Sequence, residues 1–506
     1  MRLFFFIFLF LVSFISFAQS PFDSIKAELD AHISKAIADW KVPGISVAIT
    51  IGDSIVYSKA FGFADLELKK PVTANTIFPI GSMGKSFTAF SLALLQDQGR
   101  LSLNDKVVKW LPWFTMTDKQ LQNSLTIADL LSHRTGMETF TGDLLWTESS
   151  LSNRDIINKW GKLKPEFPIR SRFGYSNISY LLASEVIQTA SGSSWRQFVQ
   201  RQLLQPLNMQ HSFLNEDEAI QYPFVAKGYT MIGDSVKEIP KGTGVLEAFG
   251  GMFSTANDIA KWLILHANDG KVSNQQLFAE GLVWEVRNPF SIVGKNYFAN
   301  GKRLLVNYGL GWELFNYNNS EVACHGGAYS GYLSMMGFIP EKRAGFVILT
   351  NSDSHEFTEA LRWTIIDILS GFSVKDYSTD VLNFMINQQN ELKKFEQKLS
   401  DSVLLKIPLP IPVQQFTGIY HNNVYGDINL INDGDELLLK MQHHPSITAR
   451  LKYIGNNRFY CIYNHPMFGK TIWPFEISNG KVMGLALSVN PMLEFSCYFF
   501  EKVNSP

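Results

Sequence analysis

The feature that most constrains this chain is a serine three residues before a lysine, at the start of a long apolar segment. Ser82 and Lys85 precede residues 87–95, which are apolar on nearly every side of a helix, as in a buried helix. Residues three apart lie on one helix face, so the hydroxyl and the amine would project to the same side. A serine becomes a nucleophile when a neighbouring base takes its proton, and a lysine whose pKa is lowered can be that base. This segment therefore predicts a Ser/Lys pair at the mouth of a buried helix.

A second copy of this spacing, Ser478 and Lys481, shows that the pattern alone is not specific. Asn479-Gly480 lies between its two members and between two apolar runs. This dipeptide is typical of a two-residue β-hairpin turn. We therefore interpret the second copy as structural, and Ser82 needs support from elsewhere in the chain.

The composition excludes several classes of protein. The chain has 506 residues, more than one ordinary domain, and its formal net charge of −1 does not favour nucleic acid or an anionic membrane surface as a partner. The sequence has no phosphate-binding or dinucleotide-binding loop, and no Gly-x-Ser-x-Gly elbow, because Ile80 lies two residues before Ser82. Three cysteines are too few for a disulfide framework, and the ten histidines have no metal-ligand spacing. We expect no metal, no cofactor and no nucleic acid.

Residues 1–18 have the pattern of a secretory signal peptide. Met1-Arg2 is positively charged, Leu3 to Val12 is apolar, and Ser16-Phe17-Ala18 is a small-x-small cleavage site. The alternative is a single N-terminal membrane anchor, for which the apolar run is short. No later run of the sequence is long and apolar enough to span a bilayer. We therefore expect a periplasmic or secreted protein of a bacterial envelope, with no stable membrane span after cleavage.

Residues 22–372 and 413–506 differ in their hydrophobic patterning. In the first region, segments typical of strands lie at both ends, including 44–61 and 308–314, and helical periodicity fills the middle. This order predicts a mixed α/β layer with an inserted helical lobe and a site between the two. Residues 373–412 read as a helical connector and a proline-rich linker. Beyond the linker, short alternating strands predict a small antiparallel barrel or sandwich that is a separate domain.

Two capping patterns and one histidine belong to the helical middle. Thr126 with Asp129, and Thr255 with Asp258, have the spacing of a capping box at a helix N-terminus. His133 could be catalytic, but it stands just before a helix-ending glycine, where a structural hydrogen-bonding role is more common. We favour the structural role for His133.

Three short motifs occur in one order along the first region: Ser82-x-x-Lys85, Tyr175-x-Asn177 and His325-Gly326-Gly327. Together they resemble the serine β-lactamase and penicillin-binding-protein superfamily, specifically its class C-like branch, which includes DD-peptidases, D-aminopeptidases and esterases. Leu130 to Met137 and Gly250 to Trp262 are similar to two further segments of that branch, so the resemblance covers residues 22–372. Residues 413–506 resemble the lipocalin-like barrel that is appended to some members.

The resemblance implies a fold and a chemistry. The fold is a β-lactamase-like α/β sandwich, with an antiparallel sheet flanked by helices, an all-helical lobe and a C-terminal antiparallel β-barrel. The chemistry is hydrolysis through an acyl-enzyme on Ser82, with Lys85 and Tyr175 sharing the proton and either of them as the general base. Asn177 would hydrogen-bond Lys85 and the substrate amide.

The third motif distinguishes this chain from true class C lactamases, which carry Lys-Thr-Gly at that place. His325 replaces the lysine and Gly326 the threonine, so a substrate carboxylate would lose a permanent cation and a hydroxyl. The resemblance implies that His325, Gly326 and Gly327 bind substrate. Histidine titrates near pH 6.5 unless it is perturbed, so if His325 contacts the substrate as a cation, activity on carboxylate-bearing substrates should fall as the pH rises through its pKa. The N–H groups of Ser82 and Ala328 would form the oxyanion hole.

These observations favour a secreted serine hydrolase that cleaves peptide bonds, D-amino acid peptides included, or amide or ester bonds. Its partner would be a small-molecule or peptide substrate, with cell-wall fragments among the candidates. Two alternatives stay open: a weak β-lactamase, and a non-catalytic penicillin-binding-like sensor or scaffold. The presence of Ser82, Lys85 and Tyr175 argues against the scaffold.

Overall fold

The computed structural model describes residues 22–239, 247–298 and 301–503. The predicted signal peptide lies outside these residues. Within the three described ranges, no helix combines the length and the apolar character that a bilayer crossing requires.

Helices cover the sheet and build a separate lobe. Their bounds in chain order are α1 (Asp23–Asp39), α2 (Gly84–Asp97), α3 (Val107–Trp110), α4 (Lys119–Ser124), α5 (Ile127–Leu131), α6 (Asn153–Trp160), α7 (Asn177–Ser191), α8 (Trp195–Val199), α9 (Glu216–Ala219), α10 (Glu247–Gly250), α11 (Ala256–Ala267), α12 (Glu280–Arg287), α13 (Phe357–Leu369) and α14 (Tyr377–Leu404). Short 3₁₀ turns occur at Gly81–Met83, Asp143–Leu145, Pro340–Lys342 and Val413–Gln415, and a π-helical turn at Gln200–Leu204.

Strands form one large sheet, one barrel and three small two-stranded sheets among the described residues. Their bounds are β1 (Gly44–Ile51), β2 (Ser54–Asp65), β3 (Lys70–Pro71), β4 (Phe78–Pro79), β5 (Tyr229–Ile232), β6 (Ser235–Glu238), β7 (Phe253–Ser254), β8 (Lys271–Val272), β9 (Gln275–Gln276), β10 (Ser291–Tyr297), β11 (Arg303–Tyr308), β12 (Glu313–Tyr317), β13 (Ser320–Tyr329), β14 (Tyr332–Ile339), β15 (Ala344–Thr350), β16 (Gly418–Asn422), β17 (Gly426–Asp433), β18 (Glu436–Met441), β19 (His444–Tyr453), β20 (Arg458–Tyr463), β21 (Lys470–Ser478), β22 (Lys481–Leu487) and β23 (Tyr498–Lys502).

The large sheet has nine strands in the order β10-β11-β12-β13-β14-β15-β1-β2-β3, and the pairs resolved in it are antiparallel. β1 lies between β2 and β15, so the beginning and the end of the first region meet in the middle of the sheet. The apolar cluster that contains Ile45, Val47 and Ile49 of β1 also contains residues of α1 and α13. Helix α11 contacts β1 and β15 as well. Helices therefore cover both faces, and the predicted α/β sandwich is confirmed.

The helical lobe is organised around α2 and α7, which contact each other. Residues 84–95 of α2 are all buried, as the apolar run predicted. α7 begins after Ser176, whose side chain accepts a hydrogen bond from the N–H of Ser179. The two helix N-termini, with Ser82 before one and Tyr175 before the other, therefore belong to one packed unit.

The two predicted capping boxes have different outcomes. Thr126 and Asp129 form the complete reciprocal pair at the start of α5. At α11, the Thr255 side chain accepts from the N–H of Asp258, but the Asp258 carboxylate accepts instead from the backbone N–H of His211 and from the hydroxyl of Ser212. His211 and Ser212 thus bond the Asp258 carboxylate, which the local pattern had predicted to bond the backbone N–H of Thr255.

The prediction of one strand over residues 308–314 is wrong. β11 ends at Tyr308 and β12 begins at Glu313. Between them, the N–H of Leu310 donates to the carbonyl of Val286 in α12 at 2.9 Å. The backbone of this stretch bonds to the neighbouring helix, so it cannot continue the ladder.

The C-terminal region is a closed barrel of eight strands, β16 to β23, which confirms the predicted barrel. Buried aromatic side chains pack in its interior: Phe416, Phe459, Trp473 and Phe475. Ser478 of β21 pairs with Lys481 of β22 across the Asn-Gly turn, so the second Ser-x-x-Lys copy is a hairpin, as predicted.

The barrel and the helical lobe share one continuous apolar cluster. Polar contacts add to it: the N–H of Ser150 donates to the His443 carbonyl at 2.8 Å, and Lys159 donates to the Val424 carbonyl at 2.7 Å. The sequence treated the barrel as a separate domain because its composition changes at the linker. In the structure the barrel packs against the lobe that carries Ser82, and its independence as a folding domain stays a prediction.

Candidate active site

Ser82 and Lys85 lie together at the start of α2. Ser82 belongs to the 3₁₀ turn that leads into the helix, and its Oγ is 2.9 Å from Lys85 Nζ. Ser82 is partly exposed, whereas Lys85 is completely buried. The predicted Ser/Lys pair on one side of a buried helix is therefore present.

Lys85 makes two further polar contacts, with Asn177 and Phe249. Its Nζ lies 2.7 Å from Asn177 Oδ1 and 3.1 Å from the carbonyl oxygen of Phe249. Burial lowers the pKa of Lys85 from 10.5 to about 7, while the nearby Asp143 carboxyl acts in the opposite direction. The neutral amine is therefore well populated near pH 7.

The surroundings of the neutral amine determine where its lone pair points. A neutral amine has two N–H donors and one lone pair. The amide oxygen of Asn177 and the carbonyl of Phe249 only accept hydrogen bonds, so they take the two N–H groups. The lone pair of Lys85 then faces Ser82, whose hydroxyl can donate to it. The arrangement is that of a nucleophile beside its base.

Tyr175 lies beside the pair, just before α7. Lys85 Nζ lies 4.8 Å from the centre of its ring, and the Ser82 side chain is near enough to the Tyr175 hydroxyl to lower its pKa slightly. Burial raises the pKa of Tyr175 well above its ordinary value. Tyr175 therefore keeps its proton near neutral pH, and of the two candidate bases the structure favours Lys85.

Asn177 is held in place by Asp143, a residue that the sequence patterns did not single out. The Asn177 Nδ2 donates to Asp143 Oδ2 at 2.6 Å, which fixes the amide so that its oxygen faces Lys85. Asp143 is buried, and burial raises the pKa of its carboxyl to about 8. No local signal marks Asp143, because its partner Asn177 lies 34 positions away on another element.

β13 passes against the turn that carries Ser82. A Cβ added to Gly327 would lie 2.0 Å from the Ile80 carbonyl oxygen, and one added to Gly81 would lie 2.7 Å from the Ala328 backbone nitrogen. Gly81 also has a φ of +52°, a conformation that glycine adopts without strain. These two glycines let the Ala328 backbone approach Ser82, where the oxyanion hole is predicted; the hole itself and the substrate-binding roles of Gly326 and Gly327 stay predictions.

His325 is close to the site but is not a cation. It is buried; its Nδ1 donates to the Gly326 carbonyl at 2.6 Å, and its Nε2 then accepts from the Tyr308 hydroxyl at 2.9 Å. Burial, with the positive charge of Lys85, lowers the pKa of His325 to about 3. This pKa contradicts the hypothesis that His325 contacts the substrate as a cation, and any substrate contact it makes near neutral pH is made by a neutral imidazole.

His133 has the structural role that the sequence favoured. Its Nδ1 accepts from the N–H of Ser176 at 3.1 Å, and its ring packs on Tyr175 with 4.3 Å between ring centres. Burial lowers the pKa of His133 well below its ordinary value. His133 thus supports the loop that presents Tyr175 to Ser82. Nowhere in the described ranges do three or more histidine, cysteine or acidic residues form a group that could hold a metal.

Comparison with known proteins agrees with this geometry. The family model described as Beta-lactamase matches residues 29–370. The chain belongs to the beta-lactamase family. The match covers the sheet, the helical lobe and all three motifs, and it ends before the connector helix α14.

Relatives and solved structures extend the comparison. The chain is 26% identical over 461 residues to the protein named unguisins hydrolase ungD of Aspergillus violaceofuscus, covering 82% of this chain and 77% of that one. It matches the octameric penicillin-binding protein homologue from Pyrococcus abyssi with a TM-score of 0.60 and 23% identity, over 94% of this chain and 99% of that chain. It matches the D-amino acid amidase from Ochrobactrum anthropi SV3 with a TM-score of 0.56 and 23% identity, over 69% and 98%. The fold is therefore that of the beta-lactamase family, whose relatives include hydrolases, with an added barrel.

Proposed function

We propose that this protein is a serine hydrolase that forms an acyl-enzyme on Ser82 and cleaves peptide, amide or ester bonds. One observation carries the proposal: Lys85 Nζ is 2.9 Å from Ser82 Oγ, and its other two contacts are with atoms that only accept. A scaffold that had lost turnover would have no need of a buried lysine whose lone pair faces a partly exposed serine.

The reaction begins when Ser82 Oγ attacks the carbonyl carbon of the substrate and its proton passes to Lys85 Nζ. The oxygen of that carbonyl gains negative charge and accepts hydrogen bonds from the N–H groups of Ser82 and Ala328. The scissile C–N or C–O bond then breaks, and the leaving group takes up the proton. Tyr175, which keeps its proton and whose ring centre lies 4.8 Å from Lys85 Nζ, is the nearby group that would carry this proton from Lys85.

Water completes the cycle by attacking the acyl ester. Its proton passes to the Lys85 amine, the ester bond to Ser82 breaks, and Ser82 Oγ recovers a proton as the acid is released. Ser82 thus gives up its proton when the acyl ester forms and receives a proton when the ester is hydrolysed, so the same residues serve both halves of the reaction.

The neutral His325 bears on the choice of substrate. A substrate carboxylate at this strand would find no permanent cation where class C lactamases keep a lysine, so efficient β-lactam hydrolysis is disfavoured. Amide and peptide substrates, those with D-amino acids and cell-wall fragments included, fit the proposal better. The D-amino acid amidase among the structural neighbours has the same fold, which supports an amide bond as a substrate on this architecture.

Active-site labelling tests the proposal. Purified protein is treated with a fluorophosphonate probe, and the modified residue is located by peptide mass spectrometry. We expect label on Ser82 in the wild type, none in Ser82→Ala, and full labelling in Ser478→Ala, which changes the matched serine of the other Ser-x-x-Lys copy. A panel of p-nitrophenyl esters, D-amino acid amides and nitrocefin then identifies the bond class. Turnover that survives in Ser82→Ala would sink the assignment of the nucleophile.

We also propose that the enzyme acts in the periplasm or outside the cell. The proposal rests on the signal-peptide pattern of residues 1–18. N-terminal sequencing of protein purified from a host with a secretion pathway should find Gln19 as the first residue. A mature chain that retains Met1 would refute cleavage and favour the membrane-anchor alternative.

A further inference from the structure

A carboxylate from the barrel reaches the support of the catalytic lysine. Glu494 lies in the loop between β22 and β23 and is buried against the helical lobe. Its Oε1 accepts the N–H of Gly142 at 2.6 Å, and its Oε2 accepts the N–H of Leu144 at 2.9 Å. These two N–H groups flank Asp143. One carboxylate thus holds both sides of the turn from which Asp143 projects.

The turn and the site form one continuous chain of hydrogen bonds. Asp143 Oδ2 accepts from Asn177 Nδ2 at 2.6 Å, and Asn177 Oδ1 accepts from Lys85 Nζ at 2.7 Å. Every member of the chain is buried. Buried hydrogen bonds of this kind fix their groups more strongly than exposed ones, because water cannot replace a lost partner.

The barrel also holds Glu494 from its own side. The hydroxyls of Tyr425 and Tyr498 both donate to Oε1, the former at 3.1 Å. A second contact reaches the same turn, because His444 Nε2 donates to the Leu144 carbonyl at 2.7 Å. The four hydrogen bonds to Glu494, two from each part of the protein, fix the buried carboxylate between the barrel and the turn.

We propose that Glu494 is a positioning residue for the catalytic base, so that the barrel is part of the catalytic apparatus of this hydrolase. The proposal rests on the proposed function, because it assumes that Lys85 accepts the proton of Ser82. It adds that the geometry and the protonation of Lys85 depend on a residue of the barrel, through Asp143 and Asn177.

The charges of these groups determine the direction in which the pKa of Lys85 should move when Glu494 is changed. Burial raises the pKa of Asp143 most, and the negative charge of Glu494 raises it further. Burial also raises the pKa of Glu494, to about 7, so this charge is present mainly above pH 7. An ionised Asp143 in turn raises the pKa of Lys85. Removing the Glu494 charge therefore favours ionised Asp143 and, through it, protonated Lys85, which is inactive as a base. The other titratable groups that face the chain are Tyr425, Tyr498 and His444 at the Glu494 end and Tyr175, Tyr180, His133 and His325 at the Lys85 end.

The test measures the pH dependence of Ser82 acylation in Glu494→Gln. The maximal rate constant and the half-saturating concentration of the fluorophosphonate are determined separately from pH 5.5 to 9. We expect the maximal rate constant at pH 7.5 to fall by about tenfold, because small displacements of a catalytic group cost one to two orders of magnitude. We expect the half-saturating concentration to stay within about twofold and the acid limb of the profile to move to higher pH. Glu494→Asp, which keeps the charge, should restore much of the rate.

The test includes a control variant and a second variant for the case in which Glu494→Gln does not fold. Glu501→Gln neutralises an exposed carboxylate of β23 and should match the wild type in every parameter. If Glu494→Gln does not fold, the test uses Tyr498→Phe in its place. This variant keeps the carboxylate but removes a hydrogen-bond donor that lowers the pKa of Glu494. The acid limb should therefore move in the same direction, but by less. A purely structural role would lower thermal stability and leave the acid limb of the folded protein unmoved.

The outcomes separate this inference from the proposed function. Labelled wild type with an unshifted profile in the folded Glu494→Gln protein, or in Tyr498→Phe where that variant decides, overturns the role of Glu494 and leaves the serine hydrolase intact. An equal loss in Glu501→Gln overturns it as well. A wild type that the probe does not label overturns both.

Discussion

Replacing Lys85 by arginine tests the catalytic base most directly. Lowering the lysine pKa from 10.5 to about 7 raises the neutral fraction at pH 7 from roughly one in 3,000 to about one half. Burial therefore increases the population of competent base by about 10³-fold, which corresponds to about 4 kcal/mol. An arginine at this place keeps a positive charge and donors for Asn177 and Phe249, but its guanidinium does not lose a proton in proteins.

We expect Lys85→Arg to lower the rate of Ser82 labelling at pH 7.5 by about 10²–10⁴-fold, the usual contribution of a general base. In the wild type the rate should fall about tenfold for each pH unit below pH 7, since the protonated fraction of Lys85 grows by that factor. This acid limb should vanish in Lys85→Arg. The matched control is Lys481→Arg in the exposed hairpin, which should leave rate and profile unchanged. Labelling of Lys85→Arg within tenfold of wild type, with the acid limb still present, would falsify the role of Lys85 as base.

Three further predictions concern the strand, the histidine and the barrel. Gly327→Ala places a methyl group 2.0 Å from the Ile80 carbonyl, so we expect loss of labelling and destabilisation by about 2–4 kcal/mol in chemical unfolding; wild-type stability would contradict the close approach. Because the pKa of His325 is about 3, the kcat/KM profiles of carboxylate-bearing and neutral substrates should run parallel from pH 5 to 8, and a fall for the carboxylate substrate alone near pH 6.5 would show a charged His325. A chain ended after Leu404 should be insoluble or unreactive toward the probe, because it uncovers the shared apolar cluster and lacks Glu494; a soluble, fully reactive product would show that the first region needs neither the barrel nor Glu494.

The sequence predicted the parts of the site that are encoded locally. Ser82 and Lys85 are three residues apart on one helix, so their spacing contains the geometry that the structure shows. The mixed α/β layer, the helical lobe and the barrel follow in the same way from periodicity, whereas the antiparallel sheet was implied by the family resemblance. The hairpin at Ser478 and Lys481 was likewise identified from its Asn-Gly turn.

What the sequence could not supply are partners chosen by tertiary structure. Asp258 lost half of its predicted cap because His211 and Ser212 compete for its carboxylate. The charge of His325 depends on its burial and on the positive charge of Lys85, neither of which the His325-Gly326-Gly327 motif contains. Glu494 lies 352 positions from the glycine it binds, and a single glutamate in a loop has no pattern around it.

Glu494 follows Ser82, Lys85 and Asn177 by hundreds of positions, so it is synthesised long after them. During translation, α2 and α7 leave the ribosome hundreds of residues before Glu494, whose carboxylate accepts hydrogen bonds from the Asp143 turn. The N-terminal parts of a protein generally fold first. A nascent chain can therefore assemble the sheet and the helices and still lack the last support of its lysine. Chains that have not yet reached residue 494 would carry Ser82 and Lys85 without the carboxylate that holds the Asp143 turn, so their base would be less well positioned.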